Sequence, residues 1–424
     1  MSTRAIEVRI WGKSVGAVAL DPEAGYYAFQ YTQAWRRSGI ELAPLMMPLT
    51  ARQEVFVFPA LAESYKRLPA LLSDALPDDF GNALIDSWMA THGVVKSSIT
   101  PLDRLAYMGK RGMGALEFRP ARGMQRESAQ PLAMQKLVEV ARDVVHGNLA
   151  SDAHAKAALA NIIRVGTSAG GARAKAVVAW HPQTHELSSG QFDVAPGFEH
   201  WLLKFDGVGK DFELGTSGGY GRIEYAYSLM AKSAGIEMSA CRLLEENDRA
   251  HFMTRRFDRD GNAKHHMQSL CAMAHLDYKQ RETHAYEQLF LTIRQLALDP
   301  AASVQAFRRM AFNVMARNCD DHAKNFGFIL REGQSWQLAP AYDVTHAHNP
   351  QGEWTAHHLM SVNGKFDNIT RADLLVVAAR FSIPNAGKIL NEVAASLRRW
   401  SDFASEAGLP VDRIQEIARD FKIV

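Results

Sequence analysis

Residues 304–344, VQAFRRMAFNVMARNCDDHAKNFGFILREGQSWQLAPAYDV, constrain the fold more than any other stretch. Apolar residues at helical spacing run into a polar segment, Asn318-Cys319-Asp320-Asp321-His322-Ala323-Lys324-Asn325. Two short strand-like runs follow, 326–330 and 336–340, with a turn at Glu332-Gly333, and they deliver a second carboxylate, Asp343. This order brings Asp320, Asn325 and Asp343 to one end of a helix and a hairpin. A phosphoryl-transfer site needs such a set: a carboxylate to accept a hydroxyl proton, and an amide plus a carboxylate to hold Mg²⁺ against phosphates. The competing reading is a polar loop joining two elements, and the D-x-x-x-x-N spacing alone does not separate the two.

The elements around this stretch change character along the chain. Residues 5–20 alternate apolar and polar about Gly12-Lys13, which predicts a hairpin; 26–31 and 54–58 add two strands to a small sheet. Residues 68–90 switch to helical spacing, interrupted by Pro77, with Asp78-Asp79 placed to cap the following helix or to act as free carboxylates. The glycines in 106–119 serve either close backbone packing or a phosphate loop, and no helix follows them as such a loop requires. Two helices are expected in 130–165, a glycine-rich loop at 166–175, a strand at 200–205, a helix at 222–235 capped by Gly235, and a strand at 251–257 turning at Asp260-Gly261. From about residue 268 onward the pattern is helical apart from the hairpin before Asp343, including 374–381 and 389–404.

Composition narrows the functional classes. The chain has 424 residues, 47% hydrophobic and 22% charged, with 48 basic against 46 acidic side chains. Several domains can form, and no charge excess points to nucleic acid. Three widely spaced cysteines, Cys241, Cys271 and Cys319, argue against a disulfide framework or a zinc site. With no signal-like apolar segment at the start and no run of eighteen apolar residues, a cytoplasmic location is expected.

Other pieces gain meaning from their order. The loop 166–175 lets backbone N–H groups approach anionic oxygens, or is an ordinary hairpin loop. Lys204, inside the apolar run Trp201-Leu202-Leu203-Lys204-Phe205, needs an anionic partner if buried, whereas an edge strand would leave it exposed. Glu224 follows on a helix, where it pairs with Lys204 or favours the helix N-terminus. Lysine, helix glutamate, D-x-x-x-x-N and hairpin aspartate form the protein-kinase order. A metal-dependent phosphohydrolase built from Asp320, Asp321, His322, His346, His348, His357 and His358 is the rival, but it has no helical His pair and leaves Asn325 unused.

At this point the residues resemble a family. Ser168-Ala169-Gly170-Gly171-Ala172-Arg173-Ala174-Lys175 resembles the S-x-G-G-A-[RQ]-x-K loop of HipA-type serine/threonine kinases. Asp320 to Phe326 resembles their D-[DG]-H-x-K-N-F catalytic loop, Tyr342-Asp343-Val344 their metal motif, and Arg256-Phe257-Asp258-Arg259 their R-F-D-R segment. The resemblance covers nearly the whole chain and implies an α+β, protein-kinase-like, two-lobed fold with three regions. These are a β-rich amino-terminal subdomain (1–125), an α/β region with the glycine loop (126–258) and a helical lobe (259–424). It also implies ATP and Mg²⁺ as cofactors, Asp320 as general base, Asn325 and Asp343 as metal ligands, and Lys204 as the phosphate-binding lysine. Ser168 takes the autophosphorylation position, with Thr167 adjacent. Gly170, Gly171, Lys175, Phe257, Asp258, His322 and Lys324 complete the expected nucleotide contacts.

The implied activity is that of a toxin paired with a HipB-like DNA-binding antitoxin. The implied target is a translation component such as an aminoacyl-tRNA synthetase, and DNA is met only through the partner. Arg255 stands where relatives often carry glutamate, Ala174 replaces a common proline, and no H-R-D or D-F-G triplet occurs. A small-molecule phosphotransferase of the aminoglycoside-kinase sort shares the catalytic trio. A nucleotide-gated corepressor beside a DNA-binding partner is the non-catalytic alternative, and it would be expected to have lost Lys204, Asp320, Asn325 or Asp343.

Overall fold

A computed structural model describes residues 3–77, 79–123, 174–206, 218–246 and 249–424. The two helices expected in 130–165, the loop residues Gly166, Thr167, Ser168, Gly170 and Gly171, and Asp78 lie outside the described residues, as does the side chain of Asp79. The chain divides into two compact units. One holds 1–218, 244–267 and 331–333; the other holds 219–243, 268–330 and 334–424. Among the described residues no helix is long and apolar enough to cross a membrane.

The first unit contains one five-stranded sheet and all of a second except the first half of its edge strand. β1 (Ala5–Ile10), β2 (Lys13–Asp21), β3 (Tyr26–Tyr31), β4 (Val55–Phe56) and β5 (Glu117–Arg119) lie in the order β4-β3-β2-β1-β5. Strict alternation in β1 sends Ile6, Val8 and Ile10 inward. The β1–β2 turn has Trp11 and Gly12 both at positive φ, 48° and 75°, with Ile10 opposite Lys13. That is the geometry whose twist matches a two-residue hairpin.

The second sheet contains β6 (Lys175–Trp180), β7 (Leu187–Ser189), β8 (Glu199–Lys204), β9 (Cys241–Glu246) and β10 (Arg249–Arg255), ordered β7-β6-β8-β10-β9. All six residues of β6 are buried, as expected for a central strand covered on both faces. β10 begins and ends two residues before the 251–257 expected from sequence, so Arg256-Phe257-Asp258 follow the strand rather than form it.

The second unit is mostly helical. Its longest helix, Pro300–Ala316, starts at Asp299, whose carboxylate accepts from Ala301 N–H at 2.8 Å, with Pro300 in the first position. From Ala306 to Ala316 nearly every residue is buried, Phe307, Met310 and Phe312 completely. Helix Tyr220–Ser233 begins two residues before the expected start, and Gly235 follows it at φ 78°. Tyr227 ties the two helices together: its hydroxyl donates to the Ala316 carbonyl at 2.7 Å, and its ring meets Phe312 edge-on.

The 336–340 run shortens to strand Gln337–Leu338, which pairs with Gly327–Leu330 in a three-stranded sheet alongside His266–Ser269. The 389–404 run divides into Ala386–Arg398 and Trp400–Glu406. The expected class, a β-rich amino-terminal part followed by a helical carboxy-terminal part, is what the chain adopts.

Candidate active site

The loop after helix Pro300–Ala316 is held at both ends before it offers any group to a ligand. Arg317 leaves the helix in the left-handed conformation, φ 55°, with its N–H bonded to Asn313 O. Its buried guanidinium pairs with Asp367 at 3.2 Å. Asn318 and Cys319 then run beside Ala347: Cys319 N–H donates to Ala347 O at 3.0 Å, and Ala347 N–H to Arg317 O at 3.2 Å. The start of the loop is therefore fixed to the segment just beyond Asp343.

Asp320 and Asn325 come together within this loop. The Asn325 side-chain amide donates to the Asp320 backbone carbonyl at 2.7 Å, closing the turn and leaving its Oδ1 as the atom available to a cation. The Asp320 carboxylate is recessed but not sealed, with 40% of its side chain exposed. Its Oδ1 accepts from the Trp354 indole N–H at 3.0 Å and lies 3.6 Å from His322 Nε2. Burial raises its pKa, opposed by His322 and the Trp354 bond, and the charges of Asp343 and Asp321 push it further up. Asp343 is thus an electrostatic neighbour of Asp320. It sits at φ 54°, a left-handed conformation that aspartate tolerates better than most residues. Next to it, the Tyr342 hydroxyl donates to Lys324 O at 2.8 Å, and Lys324 Nζ lies over the Tyr278 ring at 5.1 Å.

Asp321 faces the opposite way, into the core. It is 1% exposed, and its carboxylate accepts from Leu359 N–H (2.7 Å), the Tyr286 hydroxyl (2.7 Å) and His358 Nδ1 (2.8 Å). Burial alone would push His358 down, but the Asp321 charge and hydrogen bond win and raise it well above its ordinary value. Asn313 continues the network, donating to Tyr286 Oη at 3.0 Å and accepting from Asn318 at 3.0 Å. The histidine-rich metal reading fails on this geometry. His358 is an ion-pair partner, His346 bonds Asp420 at 2.8 Å, and among the described residues no group of three His, Cys, Asp or Glu is placed to hold a metal.

In the first unit, Lys204 is 8% exposed, at the inner end of β8. It stands opposite Lys175 of β6, which is 3% exposed, and opposite Phe252 of β10, with Nζ 5.7 Å from that ring. Directly opposed residues of a ladder project from the same face, so these two buried lysines share one face of the sheet. The edge-strand reading of Lys204 is excluded, since β8 lies between β6 and β10.

Glu224 is buried in the second turn of its helix, beyond the first turn where the helix dipole acts, so the N-terminus reading no longer applies. Asp258 is fully buried. Its oxygens accept from Arg256 (2.9 and 2.7 Å), Arg259 (2.8 Å) and Gly114 N–H (2.7 Å). Burial opposes its ionisation, yet the two guanidiniums hold it far below the usual carboxylate range. Phe257 between them is half-buried, and exposed Arg255 pairs with Glu199 at 3.4 Å.

Sequence reasoning missed Trp354, Tyr286 and the Asp321–His358 pair. Their sequence separations, 34 to 37 residues, obey no period.

Comparison with known proteins divides the chain at other boundaries than its two compact units. Residues 6–119 match the model of the HipA N-terminal domain, and residues 167–423 match that of the HipA-like C-terminal domain. A search of curated proteins finds no significant match. Among solved structures, the fold is similar to that of HipA from Shewanella oneidensis MR-1, in a complex with HipB and operator DNA. The TM-score is 0.69 at 17% identity, over 98% of this chain and 94% of that one. A match to the Helicobacter pylori proinflammatory kinase CtkA has TM-score 0.35 at 13% identity, over 59% of this chain and 91% of that one, too low to bear on the fold. The carboxy-terminal model alone covers more than half of the sequence, and the chain belongs to the HipA family.

Proposed function

We propose that the chain is an ATP- and Mg²⁺-dependent serine/threonine protein kinase of the HipA type. The observation that carries this reading is the loop in which Asn325 is bonded to the Asp320 carbonyl while Asp343 lies within electrostatic reach of the Asp320 carboxylate. An amide oxygen and one carboxylate suit Mg²⁺, which takes a few protein oxygens and completes its octahedron with phosphates and water. When bound, Mg·ATP supplies the transferable phosphoryl group and neutralises its charge.

The chain's own residues do the rest. Asp320 orients the acceptor hydroxyl and takes its proton. Lys204 and Lys175 bind phosphate oxygens, and Gly170 and Gly171, outside the described residues, are assigned to the same nucleotide by their sequence motif. Ser168 is the autophosphorylation site: a phosphate there adds a charge of roughly −1.5 to −2, which repels the nucleotide. His322 and Lys324 add contacts on the catalytic side, and Phe257 and Asp258 shape the nucleotide region through the Arg256–Arg259 cage.

The Shewanella HipA structure is a complex with HipB and operator DNA. This supports a HipB-like partner here, through which the protein meets DNA and is restrained as a toxin. A translation component such as an aminoacyl-tRNA synthetase is the proposed substrate, in the cytoplasm.

Asp320→Ala and Asp343→Ala test the reading. With labelled ATP and a cell lysate, each variant should lose γ-phosphate transfer by at least about 10²–10⁴-fold while its circular dichroism stays native. Mass spectrometry should place phosphate on Ser168 in the parent. Near-parental labelling by either variant overturns the assignment, and transfer to small metabolites but to no protein moves it to a small-molecule kinase.

A further inference from the structure

A cavity of about 910 Å³ lies wholly within the first unit, apart from the lysine pair of β6 and β8. Its walls come from the β1–β2 turn, the loop before β5, β5 itself, the residues after β7 and the hairpin at 259–264. Five cationic side chains line it against two carboxylates, Glu117 and Asp193. Arg259 is held by Asp258, and Lys264 by Glu117 at 3.2 Å and the Lys110 carbonyl at 2.8 Å. Exposed Lys110 lies 3.8 Å from Glu117, and Arg111 and Arg119 remain.

Arg111 is the telling residue. Only 7% exposed, it bonds neutral acceptors, the Tyr107 carbonyl and Gln191 Oε1 at 3.4 Å, and its guanidinium stacks over the Tyr107 ring at 4.4 Å. No carboxylate pairs with it among the described residues. The backbone is shaped to admit it: a Cβ at Gly123 would run into both the guanidinium and the Tyr107 carbonyl. A buried guanidinium without a counter-charge is costly in the free protein, and an anion in the cavity supplies the missing partner.

The remaining walls suit a planar group. Trp11 is fixed by its indole bond to Lys264 O at 2.8 Å, and Phe192 also lines the space. His200 donates from Nδ1 to Gly190 O at 3.0 Å. Burial and the nearby Arg256 and Arg259 pull its pKa to about 4, so it stays neutral and keeps Nε2 as an acceptor.

We propose that this cavity binds a nucleotide-sized phosphate ester, its phosphate on Arg111 and Arg119 and its ring between Trp11 and Phe192. The site is separate from the one that holds the substrate ATP.

Calorimetry on the full chain with AMP, GMP and inorganic pyrophosphate tests this, in the parent, Arg111→Met and Lys204→Met. At least one nucleotide should bind saturably, pyrophosphate about tenfold or more weakly, and Arg111→Met should weaken the nucleotide about tenfold or more while Lys204→Met leaves it unchanged. If Arg111→Met fails to fold, Arg119→Gln at the exposed second phosphate contact must show a loss in the same direction. The proposal falls if neither nucleotide binds, if pyrophosphate binds equally well, or if binding survives the arginine variants and disappears in Lys204→Met.

Discussion

Asp320 and Asp321 are neighbours with opposite environments, and the difference arises from what each oxygen meets. Asp320 opens toward solvent and keeps one oxygen on Trp354, whereas Asp321 accepts three hydrogen bonds from the core. Replacing His358 by glutamine leaves that carboxylate buried without its counter-charge, which should cost about 3–5 kcal/mol. The replacement also changes the pH dependence. Folding raises His358, so the folded protein keeps a proton that the unfolded chain releases near its ordinary value of about 6.5. The stabilisation is complete below that pH and declines as pH climbs toward about 10, by at most about 1.4 kcal/mol per pH unit. Urea unfolding at several pH values across this window should show the decline in the parent and a flatter profile in His358→Gln. An equal slope in both proteins would remove the charged histidine from the account.

At the scale of elements, helix Pro300–Ala316 is the part against which the catalytic loop is built. Phe312 is fully buried and meets Tyr227, whose hydroxyl holds the helix's last carbonyl. Phe312→Ala should destabilise the protein by about 3–5 kcal/mol in chemical denaturation and weaken the seat of the loop along with the core. This helix was legible because its apolar stripe repeats with the helical period, and β1 to β3 were legible because their residues alternate. The run 336–340 was legible too but shortens to Gln337–Leu338, whereas His266–Ser269 was not, since four residues carry no period and such a strand exists only through partners far along the chain. The same distinction runs through the site. Asp320, Asn325 and Asp343 are ordered within one stretch and can be read from it. Trp354 and His358 reach the loop by tertiary folding alone.

For the molecule as a whole, the formal net charge is +2, and its basic residues are often matched locally, as Arg256, Arg259 and Lys264 show. Non-specific affinity for DNA depends on counterion release by clustered cations and falls steeply with salt. The isolated chain should therefore leave a labelled duplex unbound at about 0.15 M salt, a condition where exposed charges are screened beyond about 8 Å. Fluorescence anisotropy checks this; tight binding by the chain alone would reveal a DNA surface of its own.

The bond between His346 and Asp420 bears on when, during synthesis, the segment past Asp343 becomes fixed. Asp420 ends the helix Val411–Asp420 and grips the segment just past Asp343 across 74 residues of sequence. Synthesis proceeds at roughly 5–20 residues per second, so on the order of four to fifteen seconds separate the two partners at the ribosome. Throughout that interval the segment that follows Asp343 lacks its Asp420 partner. The segment just past Asp343 is therefore completed only once the helix Val411–Asp420 has been made.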